Sequence, residues 1–375
     1  MEALSDLLSI SGIPQPLVWV LYQGKDITNA ISPGLIEVEY TDFMEGESDH
    51  ITLCLEDTDR LWQSTWYPQF GDVVNVQIGY RGAPMLPCGD FEVDEIELEG
   101  PPDTIRIKAL AAGIKRSVRT RNGRAYNDTT LADIAKTIAQ RNKLTLAGTI
   151  DSVNIARATQ VYETDLTFLK RLAEQYGYSF SIRGKKMTFF KRGELKAADP
   201  TLNVRRQQVS SFRFHDKVHS VVTVATVAYH DHKKKRVHRG KKTDPSAKGN
   251  ATSADELKLN ARAEDDGQAQ AMADAALDRV NEDQTGGTLT LPGDVRLMAG
   301  VNVSLSGFGN MDGKYTITRA MHRVSRSSGY GTEVELKRVR DPQQGAPTLA
   351  PDDAALPPEG ALAGSGRPSA SEGTP

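Results

Sequence analysis

The same two-hairpin phrase occurs twice in this chain, far apart, and that duplication limits its possible folds more than any other feature. GDFEVDEIELEGPPDTIRIKAL starts at Gly89, and GKYTITRAMHRVSRSSGYGTEVEL starts at Gly313. Each opens with Gly, a charged residue and an aromatic, Phe91 or Tyr315, then alternates through Val93 or Ile317 to a turn containing glycine. Each rises again from a threonine, Thr104 or Thr332, through a second alternating run. Alternation of period two is the mark of a strand with one buried face. A further matched piece precedes each copy, GDVVNVQIGY from Gly71 and GVNVSLSGF from Gly300. The spacing therefore predicts equivalent hairpins, with Gly89 matching Gly313 and Phe91 matching Tyr315.

The rest of the chain places these copies in two sheet modules. Residues 1–16 read as an N-terminal arm, and residues 17–113 as a first module. Its strands are LVWVLY, LIEVEY, HITLCLE and VVNVQIGY, followed by the opening hairpin. A small antiparallel barrel or a sandwich would protect the edges of such a sheet. Residues 114–200 predict an inserted α/β domain. NDTTLADIAKTIAQRNKL aligns Leu131, Ile134, Ala135, Ile138 and Ala139, with Thr130 and Asp133 at capping-box spacing. ETDLTFLKRLAEQYG aligns Leu166, Leu169, Leu172, Ala173 and Tyr176, and Gly177 suits the left-handed C-terminal position. The hairpin YSFSI–RGKK–MTFFK follows.

Residues 201–230 and 285–340 predict a second module. It is interrupted at 231–284 by a basic flexible loop and a helix carrying Ala269, Met272, Ala273, Ala276, Leu277 and Val280 on one face. The Pro-, Gly-, Ala- and Ser-rich segment 341–375 predicts a disordered tail. The fold class is thus mixed β with an α/β insertion.

Composition excludes several function classes. A formal net charge of -3 over 375 residues gives no general affinity for nucleic acid. The N-terminal MEALSDLLSISGIPQP lacks a basic start and an unbroken apolar run, so it does not read as a signal peptide, and no apolar run approaches bilayer-spanning length. Cys54 and Cys88 have no CxxC or His-linked spacing and read as reduced, buried thiols.

Catalytic motifs are missing too: there is no GxSxG, HExxH or Walker loop, and GFGNMDGKY leads from one strand into another rather than into a helix. The acidic pairs Asp57/Asp59 and Asp265/Asp266 occupy turn and helix-start positions, where Asp is expected. His215, His219, His230, His232 and His238 lie within one short region, but the Lys residues among them oppose a metal cation. No cofactor is expected.

The basic run KKKRVHRGKK is the sharpest local charge feature. Lys233, Lys234, Lys235, Arg236, Arg239, Lys241 and Lys242 form a candidate interaction loop for phosphate or an acidic surface. The competing reading is a solvated loop guarding a sheet edge, and no interleaved aromatic residue offers a base a stacking platform. On either reading the segment Lys233–Lys248 is expected to be mobile and dispensable for folding.

Taken in order, DITNAISPGLIEVEYTD, FGDVVNVQIGY, GDFEVDEIELEGPPDTIRIKA, ETDLTFLKRLAEQYGYSFSI and LPGDVRLMAGVNVSLSGFGNMDGKYTITRAMHRV resemble the phage late control D family. These are baseplate hub proteins of contractile-tailed phages, similar to the hub portion of VgrG spikes of type VI secretion. The resemblance spans roughly residues 15 to 340. It implies two tube-like antiparallel β-barrel modules per chain and three chains in a ring, a homotrimeric symmetry adaptor between a sixfold tail tube and a trimeric spike.

The partners so implied are the spike, the tail tube or tube initiator, and the tape measure and baseplate wedge proteins. No small-molecule substrate, nucleic acid or membrane insertion is expected. Assembly is expected in the bacterial host cytoplasm and residence in the virion tail baseplate or a phage-tail-like particle. Two other classes stay open, a DNA-binding late-gene transcription activator and a tail-tip cell-wall hydrolase. Neither a basic recognition helix nor a pair of catalytic carboxylates stands out for them.

Overall fold

The computed structural model describes residues 14–45, 47–111, 120–183, 185–217, 221–231, 235–244 and 256–339. The alternating runs of the first part form β1 (Pro16–Tyr22), β2 (Lys25–Asp26), β3 (Leu35–Phe43), β4 (His50–Glu56), β5 (Val73–Tyr80), β6 (Leu86–Glu99) and β7 (Thr104–Ala111), with one helical turn, α1 (Thr28–Ile31), between β2 and β3. The middle contains β8 (Arg121–Thr130), α2 (Leu131–Arg141), β9 (Thr145–Ala147), β10 (Asn154–Thr164), α3 (Asp165–Gln175), β11 (Tyr178–Arg183), β12 (Lys186–Lys191) and α4 (Arg192–Ala197). Then follow β13 (Leu202–Arg205), β14 (Ser211–Asp216), β15 (Val224–Asp231), β16 (Arg236–Thr243), β17 (Glu256–Leu259), α5 (Asp266–Glu282), β18 (Thr285–Pro292), β19 (Asn302–Ser306), β20 (Gly313–Ser325) and β21 (Gly329–Arg338).

The helices start and stop where side-chain chemistry dictates. Thr130 caps α2 by accepting the Asp133 N–H at 3.1 Å, and its hydroxyl donates to the Asp133 carboxylate at 2.7 Å. Gly177, at φ +77°, follows α3. The buried face of α3 differs slightly from the expected one: Phe168 is fully buried and Leu166 only partly, because Phe168 stacks on Tyr126 of β8 with ring centroids 5.3 Å apart.

The two halves share one 13-stranded sheet, contrary to the expectation of separate closed modules. Its hydrogen-bonded path runs β14–β18–β21–β20–β3–β4–β7–β6–β5–β1–β2, with β19 beside β20 and β13 beside β19, and the path is open at both ends. β3 does not return to close its own half; it pairs instead with β20 of the other half. The rest of the described strands form three small sheets: β8 with β10, β9 with β11 and β12, and β15 between β16 and β17. The core under the first half is continuous with that under α2 and α3 and reaches Val227 of β15 and Ala269 and Met272 of α5. The second half keeps its own core around Leu289, Tyr315, Ile317 and Val334.

The duplication is a match of register as well as of sequence. Val74 pairs with Phe91 and Val76 with Gly89, while Val303 pairs with Tyr315 and Leu305 with Gly313. Gly89 and Gly313 both have positive φ, +108° and +138°, a backbone that L side chains rarely adopt. The N–H of Gly71 donates to the Val93 carbonyl at 2.9 Å, and that of Gly300 to the Ile317 carbonyl at 2.8 Å. A bulge falls at the same place in each copy, between Val93 and Glu95 in β6 and between Ile317 and Arg319 in β20. The return strands correct one expectation by a residue. Leu98 faces Ile105 and its counterpart His322 faces Thr332, so Thr332 matches Ile105 rather than Thr104.

The joint between the halves is polar at its centre. β3 and β20 pair from Glu37↔Ser325 to Phe43↔Arg319, and Arg323 bonds the Glu37 carboxylate at 2.6 Å. His322 has no exposed surface; its Nδ1 lies 2.8 Å from the Tyr330 hydroxyl, its Nε2 lies 2.9 Å from the Leu297 carbonyl, and its ring stacks on Tyr40. A second junction ties the α/β layer to both halves. Arg192 bonds Glu45, Glu282 at 2.9 Å and the Ser179 hydroxyl at 2.8 Å, and Lys196 reaches Glu282 at 3.5 Å.

Two outcomes follow. Burial pushes the His322 imidazole down to about 4 from its usual 6.5. The unfolded chain therefore takes up this proton first, so stability is fully present above pH 6.5 and declines as pH falls toward 4, by up to about 3 kcal/mol. Urea denaturation across that range should show the loss, and His322→Gln should flatten it. Arg192→Met leaves the Glu45 and Glu282 carboxylates short of a partner in a largely buried setting and should cost about 3 kcal/mol in the same assay.

Candidate interaction surfaces

From Lys235 to Asp244 the basic run is built into the structure, which corrects the expectation of a flexible loop for that part; residues 245–248 of the expected mobile segment lie outside the described residues. Lys233 and Lys234 lie outside the described residues. Lys235 forms the turn at φ +49°, and Arg236, Arg239, Lys241 and Lys242 belong to β16, paired with β15 from Asp231↔Arg236 to Val224↔Thr243. The missing apolar anchors come from elsewhere in the chain, where α5 packs on β16. Gly240 makes the contact possible, since a Cβ there would sit 2.1 Å from the Ala269 carbonyl oxygen.

A polar stripe along the same helix takes up much of the charge. Asp266 bonds Arg236 at 2.5 Å and accepts from the His238 ring at 3.1 Å; the Gln270 side chain accepts the Lys241 N–H; Asp274 lies 3.8 Å from Lys242. The bond from His238 holds the Asp266 carboxyl below its usual range. Only some of the seven cations therefore remain to face a partner, which weakens a phosphate-binding role.

The histidines that cluster in sequence do not converge. His215 is exposed on β14 in the large sheet, whereas His238 is buried in the small one. His230 neighbours Tyr229, the residue paired with His238, so it points to the opposite face of β15. His219 and His232 lie outside the described residues. Among the described residues no group of His, Cys, Asp or Glu is arranged to hold a metal, and no helix is long and apolar enough to cross a membrane. Asp57 accepts the Trp62 N–H at 2.9 Å and Asp265 caps α5 through the Gln268 N–H at 2.7 Å, both structural tasks. Cys88 is buried and Cys54 partly so, and both are free thiols.

Two charged strand edges stand out instead. Beyond its bulge β6 carries Glu95, Glu97 and Glu99, with Leu98 46% exposed between them. β14, the end strand of the large sheet, carries Arg213 and His215, and Lys217 follows it. These three line a cleft of about 310 Å³ with Asp283 and Lys337. The sequence did hold a signal for both, E-x-E-x-E in DEIELE and R-x-H-x-K in FRFHDK, each an alternation of one sign of charge. A separate aromatic patch, Trp66, Tyr67 and Phe70, is exposed between β4 and β5. None of these surfaces combines a nucleophile with a base. Their chemistry is that of macromolecular contact.

Comparison with known proteins points the same way. The model of the phage tail baseplate hub (GPD) family matches residues 109–328. A probable baseplate hub protein of Escherichia phage 186 is 34% identical over 185 residues, 49% of this chain and 47% of the relative, so the chain spans about half of that relative's length. The 43 kDa tail protein of prophage MuSo2 from Shewanella oneidensis shares the fold at a TM-score of 0.66 and 15% identity, covering 86% of this chain and 98% of that one. A chain of the Francisella PdpA–VgrG complex does so at 0.54 and 10% identity, over 92% of this chain and 61% of its counterpart.

The packing of α5 on β16 is open to direct measurement. Gly240→Val should cost about 2–3 kcal/mol in urea denaturation because the helix must move away from β16. Arg239→Ser, on an exposed position of the same strand, should change stability by less than about 0.5 kcal/mol.

Proposed function

The chain belongs to the phage tail baseplate hub family, and from that premise we propose that it is a structural hub subunit, three copies of which form a ring joining a sixfold tail tube to a trimeric spike. The observation that carries this reading is the register-level duplication. Two halves with equivalent strand orders, β5–β6–β7–β4–β3 and β19–β20–β21–β18–β14, give six similar modules from three chains. Six similar surfaces can meet a sixfold partner while true threefold symmetry meets a trimeric one. In this reading each half is a tube-like barrel module whose closure is completed by neighbouring modules, and the α/β layer with α5 braces the outside.

The work is done by complementarity over large interfaces, without a substrate or cofactor. The exposed Trp66, Tyr67 and Phe70 are suited to a partner surface, since aromatic residues carry much of the energy of interface cores. The spike, the tube or tube initiator, the tape measure and the wedge proteins are the partners this role requires. The chain is assembled in the host cytoplasm and resides in the tail baseplate.

Light scattering on the chain mixed with its cognate spike should give a complex containing three copies. A stable complex with two or four copies would overturn the reading. A monomer in isolation would not, because mass action from the spike can drive ring closure.

A further inference from the structure

The matched registers give β3, β4, β5, β6 and β7 of one half counterparts in β14, β18, β19, β20 and β21 of the other. Through the ladders to β4 and β18, Glu39 corresponds to Arg213, Tyr40 to Phe214 and Thr41 to His215. Through the shared bulge, Arg319 to Arg323 of β20 correspond to Glu95 to Glu99 of β6. Within one chain, β3 pairs along residues 319–325 of β20, the part beyond the bulge. The equivalent part of β6 has β7 on one side, while β5 pairs only as far as Glu92 on the other. Among the described residues that second side of Glu95–Glu99 has no strand. The counterpart of β3 is β14, whose outer edge ends the sheet.

We propose that β14 of one copy pairs antiparallel with residues 95–99 of β6 in a second copy, repeating between chains the joint that β3 and β20 make within one. This rests on the reading of the chain as a self-assembling hub and specifies which edges close the ring. Carrying the intrachain register across sets Glu95 opposite Lys217, Glu97 opposite His215 and Glu99 opposite Arg213, with Leu98 opposite Phe214. Three acids thus meet three bases at alternate positions, on one face of the new ladder.

Other observations fit this occupant. Leu98 and Phe212 are 46% and 44% exposed, large apolar side chains on otherwise charged strands. Glu95 and Glu97 reach Lys108 and Arg106 only at 3.9 and 3.8 Å, on surfaces about half exposed, so neither acid is committed within its own hairpin. Arg213, His215 and Lys217 form no ion pair among the described residues, although Asp283 lies in the same cleft. Backbone pairing supplies affinity at an open edge, and the alternating charges fix the register.

Cysteines at the opposed positions test this. Leu98→Cys and Phe214→Cys are placed together in the full chain with Cys54→Ser; Cys88 can stay, since burial pushes its thiol far up and leaves it unreactive. Copper-catalysed oxidation with the spike present should give a covalent ladder ending at three copies. Leu98→Cys paired with Val161→Cys, a control at a more exposed position, should give none. Adding Glu95→Lys, Glu97→Lys and Glu99→Lys should cut the ladder about tenfold or more, and further adding Arg213→Glu, His215→Glu and Lys217→Glu should restore it.

Three copies by light scattering without a 98–214 ladder would overturn this pairing and leave the hub reading intact. A ladder equal to the control, or unaffected by charge reversal, would also overturn it. Neither ladder nor ring would overturn both.

Discussion

Everything in this molecule depends on seven residues of β3 finding seven of β20 across most of the chain's length. Glu37–Phe43 lies near the beginning and Arg319–Ser325 near the end, and their ladder turns two half-sheets into one. Ordering a contact so remote in sequence has a high loop-closure cost, which local hairpins do not incur. The side chains at the joint offset it with several kinds of interaction: the Arg323–Glu37 bond, the Tyr40–His322 stack, the Tyr80–Tyr330 contact at 5.2 Å and the Ala299 N–H held by Asp42. A neutral histidine at the centre, bonded through both nitrogens to Tyr330 and Leu297 of its own half, holds its ring in place to stack on Tyr40 across the joint.

The bulges explain how one strand serves two partners. Each inserts a residue that resets the alternation, so the stretch before it packs with β5 or β19, and in β20 the stretch after it pairs with β3. In β20 the displaced Thr318 carbonyl accepts the Met44 N–H at 3.0 Å, which pins the end of the joint. The α/β layer shares its apolar core with the first half, and Arg192 adds polar ties, its three bonds reaching β11, the end of α5 and the segment after β3.

Much of this was legible in the sequence, for identifiable reasons. Strands with one wet face declare themselves by alternation, and helix ends by residues such as Thr130, Asp265 and Gly177. The repeat was visible because Gly89 and Gly313 sit where backbone geometry leaves little choice. What sequence could not give was which open edge meets which. One-residue bulges leave no compositional trace, so alternation alone matches Thr104 to Thr332 and closes the halves separately. The run from Lys233 to Lys242 misled for another reason. Its own residues hold charge without apolar anchors, and the surface that orders β16 is supplied by Ala269, Gln270 and Asp274, well downstream. Charge in isolation reads as solvated, while charge opposite its complement on another element reads as packing.

The polarity of the intrachain joint has a sorting effect. There, the β20 side carries arginines and the β3 side glutamates, whereas β6 beyond its bulge is acidic and β14 basic. The two kinds of edge are therefore orthogonal. A first half approaching another first half sets glutamate against glutamate, and a second half approaching another second half sets arginine against arginine, each a repulsive encounter. A duplicated fold ordinarily runs the risk that its copies, being alike in shape, exchange places and stall in dead-end pairs. Here shape is shared and charge is opposed, so the halves are alike in fold yet distinguishable to one another.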